Sequence, residues 1–190
     1  MNINILIVGV GGQGTVLASR ILGSAAALSN KDCKLSEVHG MSQRGGSVVT
    51  HVRIADEVAS PIIAEGEADI VLAFELLEGY RWRHFVKEDG IIIVNTQRIW
   101  PMPVITGAME YPEGIIENMQ SEGKKVLALD AYALALSAGT DKAINTVMIG
   151  AMGKYLGLDK AILLRAIENS VKPAFIEVNK LAFEAGYNVN

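Results

Sequence analysis

The chain has 190 residues, of which 50% are hydrophobic and 20% charged, with a formal net charge of −4 and a single cysteine. Cys33 alone excludes an intramolecular disulfide and any CxxC site, and the negative charge supplies none of the positive field by which nucleic acids are bound. At this length one domain, residues 1–190, is expected to bury roughly 70% of the surface the unfolded chain exposes, without a metal or disulfide staple.

No basic segment precedes the first apolar run, and glycines interrupt that run within about ten residues, well short of a membrane span. A cytoplasmic protein is expected, since a lone thiol fits a reducing compartment. The high apolar fraction predicts surface covered by another chain, either a partner subunit or a further copy.

Ile3, Ile5, Leu6, Ile7 and Val8 lead into Gly9-Val10-Gly11-Gly12-Gln13-Gly14, and a helical apolar period then runs from Val16 to Leu28. This reads as strand, glycine turn and helix, with Gly9, Gly11 and Gly14 matching GxGxxG. Lys34 to His39 is a second strand. Gly40-Met41-Ser42-Gln43-Arg44-Gly45-Gly46 is a polar, glycine-bracketed loop, and Ser47 to Ile54 is a β-branched third strand, so no helix separates the two. Asp69 to Phe74 is a continuous apolar run, as a sheet covered on both faces requires. A short helix from Glu75 to Phe85, a turn at Glu88-Asp89-Gly90 and a strand from Ile91 to Asn95 complete another βαβ unit.

Pro101, Pro103 and Pro112 mark an exposed irregular crossing, with one short helix near Ile115 to Ser121. Lys125 to Asp130 is the last strand, and Ala131 to Ala138 begins a helical region with little room for water on either side. Thr140 or Asp141 can cap a helix carrying Ile144, Val147, Met148, Ala151, Met152 and Tyr155. Gly150 and Gly153 inside it each cost about 1 kcal/mol against alanine, which predicts close backbone packing. Asp159 caps a helix from Lys160 to Ser170, and Pro173 opens a final helix to about Ala185, closed by Gly186. The fold class expected is a Rossmann-like three-layer α/β domain, its sheet mostly parallel, with helices on both faces and a helical C-terminal region.

Three roles compete for the glycine turn. A dinucleotide dehydrogenase wants an acid at the tip of the second strand, about twenty residues on. The tip here is His39-Gly40, with Glu37 two positions earlier and Asp32 before the strand, so the match is poor. A P-loop requires Lys then Ser/Thr after the last glycine, and Gly14 is followed by Thr15-Val16. The third role is a tight turn with close helix packing and no ligand. The 40–46 loop would emerge beside this turn at the carboxyl edge of the sheet. There Arg44 can grip phosphate or carboxylate bidentately, or be a solvated hairpin arginine. His39, His51 and His84 have no mutual metal spacing and read as structural, and no GxSxG elbow is present. Asn145, among Ile144, Val147 and Met148, either makes a core hydrogen bond or contacts a site.

Gly9 to Gly14 followed by Ala18 and Leu22, and SEVHGMSQRGGSV from Ser36 to Val48, resemble the gamma domain of 2-oxoacid:ferredoxin oxidoreductases. Asp69 to Glu75 and Asn145 to Ala151 look like further landmarks, so the resemblance spans essentially the whole chain. The Glu37-Val38-His39-Gly40-Met41 form of the loop, with Gln43-Arg44-Gly45-Gly46, is similar to that of the beta subunit of indolepyruvate ferredoxin oxidoreductase. Pyruvate-type members usually carry a tyrosine-glycine-proline version.

The resemblance implies a subunit, inactive alone, of an enzyme that decarboxylates an aryl 2-oxoacid, forms an acyl-CoA and passes electrons to ferredoxin. Gamma subunits acting on pyruvate, 2-oxoisovalerate or 2-oxoglutarate are the alternative, and a free-standing NAD(P)-binding reductase a more distant one. A 4Fe–4S cluster needs four thiolates, and one cysteine cannot supply them. Nor does the chain carry a GDG followed by paired asparagines, the usual cradle of thiamine diphosphate and its metal. Thiamine diphosphate, magnesium and iron–sulfur clusters are therefore expected on a larger partner subunit, through which ferredoxin is reached. This chain is expected to hold no metal and no catalytic residue, with coenzyme A as its candidate ligand. The residues proposed to bind are Gly9, Gly11, Gly12, Gln13, Gly14, Gly40, Gln43, Arg44, Gly45, Gly46 and Asn145.

Overall fold

The computed structural model describes residues 2–39 and 46–189. Strand β1 (Ile3–Val10) is buried along its whole length. Successive side chains on a strand point to opposite faces, so Ile3, Ile5 and Ile7 enter one core while Leu6 and Val8 enter the other. Helix α1 (Thr15–Leu28) follows the glycine turn. Strands β2 (Asp32–His39) and β3 (Ser47–Ala55) then pair antiparallel. β3 returns along β1, with Ile54 opposite Ile3 and Ser47 opposite Val10. On the other side of β1, β4 (Ala68–Ala73), β5 (Val86–Asn95) and β6 (Lys125–Leu129) add in parallel. The order is β2-β3-β1-β4-β5-β6. The expected α/β class and mostly parallel sheet are found, with β3 as the one strand set against β1.

Helix α2 (Leu76–Arg81), a single exposed turn α3 (Met102–Ile105) and α4 (Ile115–Ser121) come next in the chain. α2 and α4 cover the face carrying Leu6 and Val8. The opposite face is covered by α1 and by α5 (Ala131–Ser137), α6 (Ile144–Gly153), α7 (Lys160–Ser170) and α8 (Ile176–Tyr187). α4 and α7 have the bounds expected from sequence, and Asp159 caps α7 by accepting from the Ala161 N–H at 2.9 Å.

Four segments differ from expectation. Glu88-Asp89-Gly90 is not a turn between elements but part of β5, where the register steps from Ala68 opposite Val86 to Ile70 opposite Ile91 and the extra residues bulge. Gly90 is needed there because a Cβ would lie 2.9 Å from the Asp69 carbonyl oxygen. α5 buries only Ala131 and Ala135, a narrow i, i+4 stripe, and leaves Tyr132 and Leu136 about half exposed. Gly186 does not stop the last helix. It lies inside α8 against α6, where a Cβ would collide with the Val147 carbonyl oxygen, just as one at Gly150 would collide with that of Phe183. The close packing expected of Gly150 is thus present. The helix expected over 75–85 also divides, α2 ending at Arg81 ahead of a separate 3₁₀ turn at Arg83–Phe85.

Candidate functional site

The site is built where β1 stops. Gly12 and Gly14 have φ of 100° and 81°, in the left-handed region that favours glycine. Gly9 lets the turn close onto β4, since a Cβ there would lie 3.0 Å from the Phe74 Cβ. Gly14 is the N-cap of α1, with no side-chain cap and no acid in the first turn. The first N–H groups of a long helix are therefore left for an anion. Gly11 donates its N–H to the Gly46 carbonyl at 3.0 Å, which places the exit of the 40–46 loop on the glycine turn. Gly40, Gln43, Arg44, Gly45 and the His39 side chain lie outside the described residues.

Gln13 staples the turn to the sheet. Its Oε1 accepts from the Val10 N–H at 2.8 Å and its Nε2 donates to the Phe74 carbonyl at 2.9 Å. Asn95, fully buried at the end of β5, donates to the same carbonyl at 3.1 Å and accepts from the Ala131 N–H at 3.1 Å. Asn145 comes from the first turn of α6 and meets the glycine turn directly, because a Cβ on Gly14 would lie 2.7 Å from its Nδ2. Gly12, Gln13, Gly14, Gln97, Lys142 and Asn145 line a crevice of about 360 Å³, with Asp141 and Ile144. The crevice sits at the carboxyl ends of parallel strands, where open α/β sheets bind ligands. A neighbouring hollow of about 280 Å³, lined by Thr96, Gln97, Asp130 and Tyr132, shares Gln97 with it.

Behind the crevice lies a buried acid. Glu75 is 1% exposed and accepts from the Glu78 N–H at 2.9 Å, the Ile99 N–H at 3.0 Å and the Tyr111 hydroxyl at 2.7 Å. The Leu76 N–H donates to the Gln97 carbonyl at 3.0 Å, so bonds at Gln97 and Ile99 tie this segment to the start of α2. Burial, then the Glu75 carboxylate beside it, push the Tyr111 phenol well above its ordinary range. Glu78, 3% exposed, accepts from Ser47 Oγ at 2.5 Å and pairs with Arg81 at 2.7 Å, which fixes the start of β3 next to Gly46. His51 accepts the Ile63 N–H at 3.2 Å, and burial lowers its imidazole pKa. His84 stacks on Trp82.

Gly9, Gly11, Gly12, Gln13, Gly14, Gly46 and Asn145 thus lie together around the end of β1. Gln97, Lys142 and the Glu75 clamp are additions that sequence reasoning passed over. The available signal was position, because Gln97 stands two residues beyond a strand that ends at the carboxyl edge.

A family model described as pyruvate ferredoxin/flavodoxin oxidoreductase matches residues 4–189. Indolepyruvate oxidoreductase subunit IorB of Thermococcus kodakarensis is 40% identical over 190 residues, covering 96% of this chain and 93% of that protein. The pyruvate/ketoisovalerate oxidoreductases common subunit gamma of Pyrococcus abyssi is 33% identical over 170 residues, covering 88% of this chain and 83% of that one. The crystal structure of a keto/oxoacid ferredoxin oxidoreductase gamma subunit from Geobacter sulfurreducens superposes with a TM-score of 0.72 at 26% identity, over 97% of this chain and 96% of that one. With the model matched from end to end and relatives of full length on both sides, this chain belongs to the pyruvate ferredoxin/flavodoxin oxidoreductase family.

Proposed function

We propose that this chain is the smaller subunit of an indolepyruvate-type 2-oxoacid:ferredoxin oxidoreductase, acting in the cytoplasm as one domain. The observation that carries the reading is the 40% identity to an indolepyruvate oxidoreductase subunit over nearly the full length of both chains. It is supported by the Glu37-to-Gly46 sequence, whose last residue is bonded to the glycine turn. The enzyme would convert an aryl 2-oxoacid to its acyl-CoA and reduce ferredoxin.

The residues here do not fit the redox cofactors. One half-buried cysteine cannot ligate a 4Fe–4S cluster, and burial holds its thiol above the ordinary range. Thiamine diphosphate, magnesium and the clusters are assigned to the larger partner, which also meets ferredoxin. The ligand proposed for the crevice is a diphosphate, as in coenzyme A, set against the α1 N-terminus, and Arg44 is proposed to join it on the strength of its sequence alone. The second reading, a gamma subunit acting on pyruvate or a branched 2-oxoacid, is favoured by the 33% identity to a shared gamma subunit.

The test is purification of the tagged chain after co-expression with its neighbouring large reading frame, followed by cofactor analysis of the complex and of each chain. The reading expects iron and thiamine diphosphate in the complex and in the large chain only. A small chain that folds alone and binds NAD(P)H tightly would refute it.

A further inference from the structure

Residues 99–109 carry no charged side chain, in a chain that is 20% charged. They follow the carboxyl end of β5, fold into the single turn α3 and return to Tyr111, whose hydroxyl accepts the Leu77 N–H at 3.1 Å at the start of α2. Trp100, Met102, Ile105 and Met109 stand on this loop, each 59–65% exposed. Among the described residues, the hydrogen bonds made by residues 100–110 all stay within the loop, and α3 packs broadly against no other helix or strand. The neck is nonetheless fixed. One oxygen of the buried Glu75 carboxylate accepts both the Ile99 N–H at 3.0 Å and the Tyr111 hydroxyl at 2.7 Å. A loop whose ends meet on one buried carboxylate is an Ω-type protrusion, ordered before anything binds it. Large apolar side chains held out into water on such a loop mark a contact with another surface.

Area, shape and charge narrow what that surface is. The four side chains expose on the order of 500 Å². Two such loops laid against each other would bury about 1,000 Å², short of the roughly 1,600 Å² of a stable interface, whereas a convex loop seated in a groove is covered on all sides. A second copy offers no apolar seat in the hollows described: one has Asp69, Asp89 and Lys125 in its wall, another Arg53 and Glu57, and the crevice Asp141 and Lys142. The charges flanking the loop are Arg98, Glu110 and Glu113, with Arg98 paired to Glu113 at 3.5 Å, and not the basic collar that holds an apolar loop on anionic lipid. Gln97, at the base of the loop, lines the crevice, so a chain seated on the loop covers the edge at which the crevice opens.

We propose that the loop over residues 99–111 docks this chain into an apolar groove of the larger subunit, with Trp100, Met102, Ile105 and Met109 buried there. The identity of the partner rests on the two-subunit reading above; the loop as the docking element does not depend on what the crevice binds. The Glu75 clamp holds the loop in its docking shape and so lowers the ordering cost of association.

The test is the dissociation constant between this chain and the larger subunit, measured for the parent and for Met102→Asp and Ile105→Asp. Each variant sets a charge against an apolar groove and should weaken association about thirtyfold or more. The melting temperature of the small chain should change little, since both side chains are exposed. Leu181→Asp, at a position 58% exposed on α8, is the control and should associate as the parent does. Parental affinity in both loop variants, or equal weakening by Leu181→Asp, overturns the proposal and leaves the two-subunit reading standing. A parent chain that does not associate with the larger subunit overturns both. A small chain that dimerises alone through Ile105, or sediments with phosphatidylglycerol vesicles through it, while the loop variants keep parental affinity for the larger subunit, assigns the loop to a second copy or to lipid and also overturns the proposal. Loop-dependent association in a complex that turns over no 2-oxoacid upholds it and removes the function proposed above.

Discussion

Replacing Glu75 probes the support of the site, because this carboxylate is buried, carries no ion pair among the described residues and accepts three hydrogen bonds from groups 3, 24 and 36 residues away in the chain. Glu75→Ala removes the N-cap of α2, worth about 1 kcal/mol. It also leaves the Ile99 N–H and the Tyr111 hydroxyl without their acceptor, at about 1–3 kcal/mol for a buried donor. Taken together the loss is about 3–7 kcal/mol, and at about 2–4 °C per kcal/mol for a chain of this size the melting temperature should fall by about 6–28 °C. Glu75→Gln keeps one carbonyl oxygen and should lose about half as much. Thermal and urea unfolding of the purified variants, followed by circular dichroism, measure both. A loss below about 1 kcal/mol in Glu75→Ala would show that the clamp is not what holds the 97–111 segment to α2.

Gly186→Ala drives a methyl into the Val147 carbonyl and should destabilise by roughly 2–4 kcal/mol. Gly157→Ala, at φ 63° with open space around a Cβ, should cost only about 1 kcal/mol of strain, and equal losses in the two would contradict the α6–α8 packing account. Because burial lowers the His51 pKa in the folded state, the unfolded chain binds that proton at higher pH, so stability is full above about pH 6.5 and declines as pH falls below it. His51→Asn, which keeps an acceptor for the Ile63 N–H, should flatten that decline in urea titrations between pH 7 and pH 5 on the order of a fraction of a proton. Cys33→Ser should leave the iron content of the assembled complex unchanged by metal analysis, since no cluster is assigned to this chain.

Much of this architecture could be read directly from the residues because its determinants are local. The GxGxxG spacing between an apolar strand and an apolar helix announces β1, the turn and α1, and Asp159 announces α7 three residues before its period is visible. Gly186 was misleading for a physical reason: glycine ends helices and also admits a neighbouring helix, and which of these applies depends on α6, more than thirty residues earlier. Gly90 is the same case within a sheet, where the approaching group is the Asp69 carbonyl. In the site, Asn145 could be singled out as an amide on an apolar helix, but its contact with Gly14 follows only from the packing of α6 against the end of β1. Gln97 carries no motif at all. Its position depends on Gln13 and the Glu75 clamp, which reach it from distant parts of the chain, and on Asn95 two residues before it.

The most direct test of the central claim is turnover by the reconstituted complex, with indolepyruvate, pyruvate, 2-oxoisovalerate and 2-oxoglutarate compared at equal concentration in the presence of coenzyme A and ferredoxin. The account predicts that ferredoxin is reduced fastest with indolepyruvate, only when both chains and coenzyme A are present. Equal rates without this chain, or a preference for a non-aromatic 2-oxoacid, would contradict it.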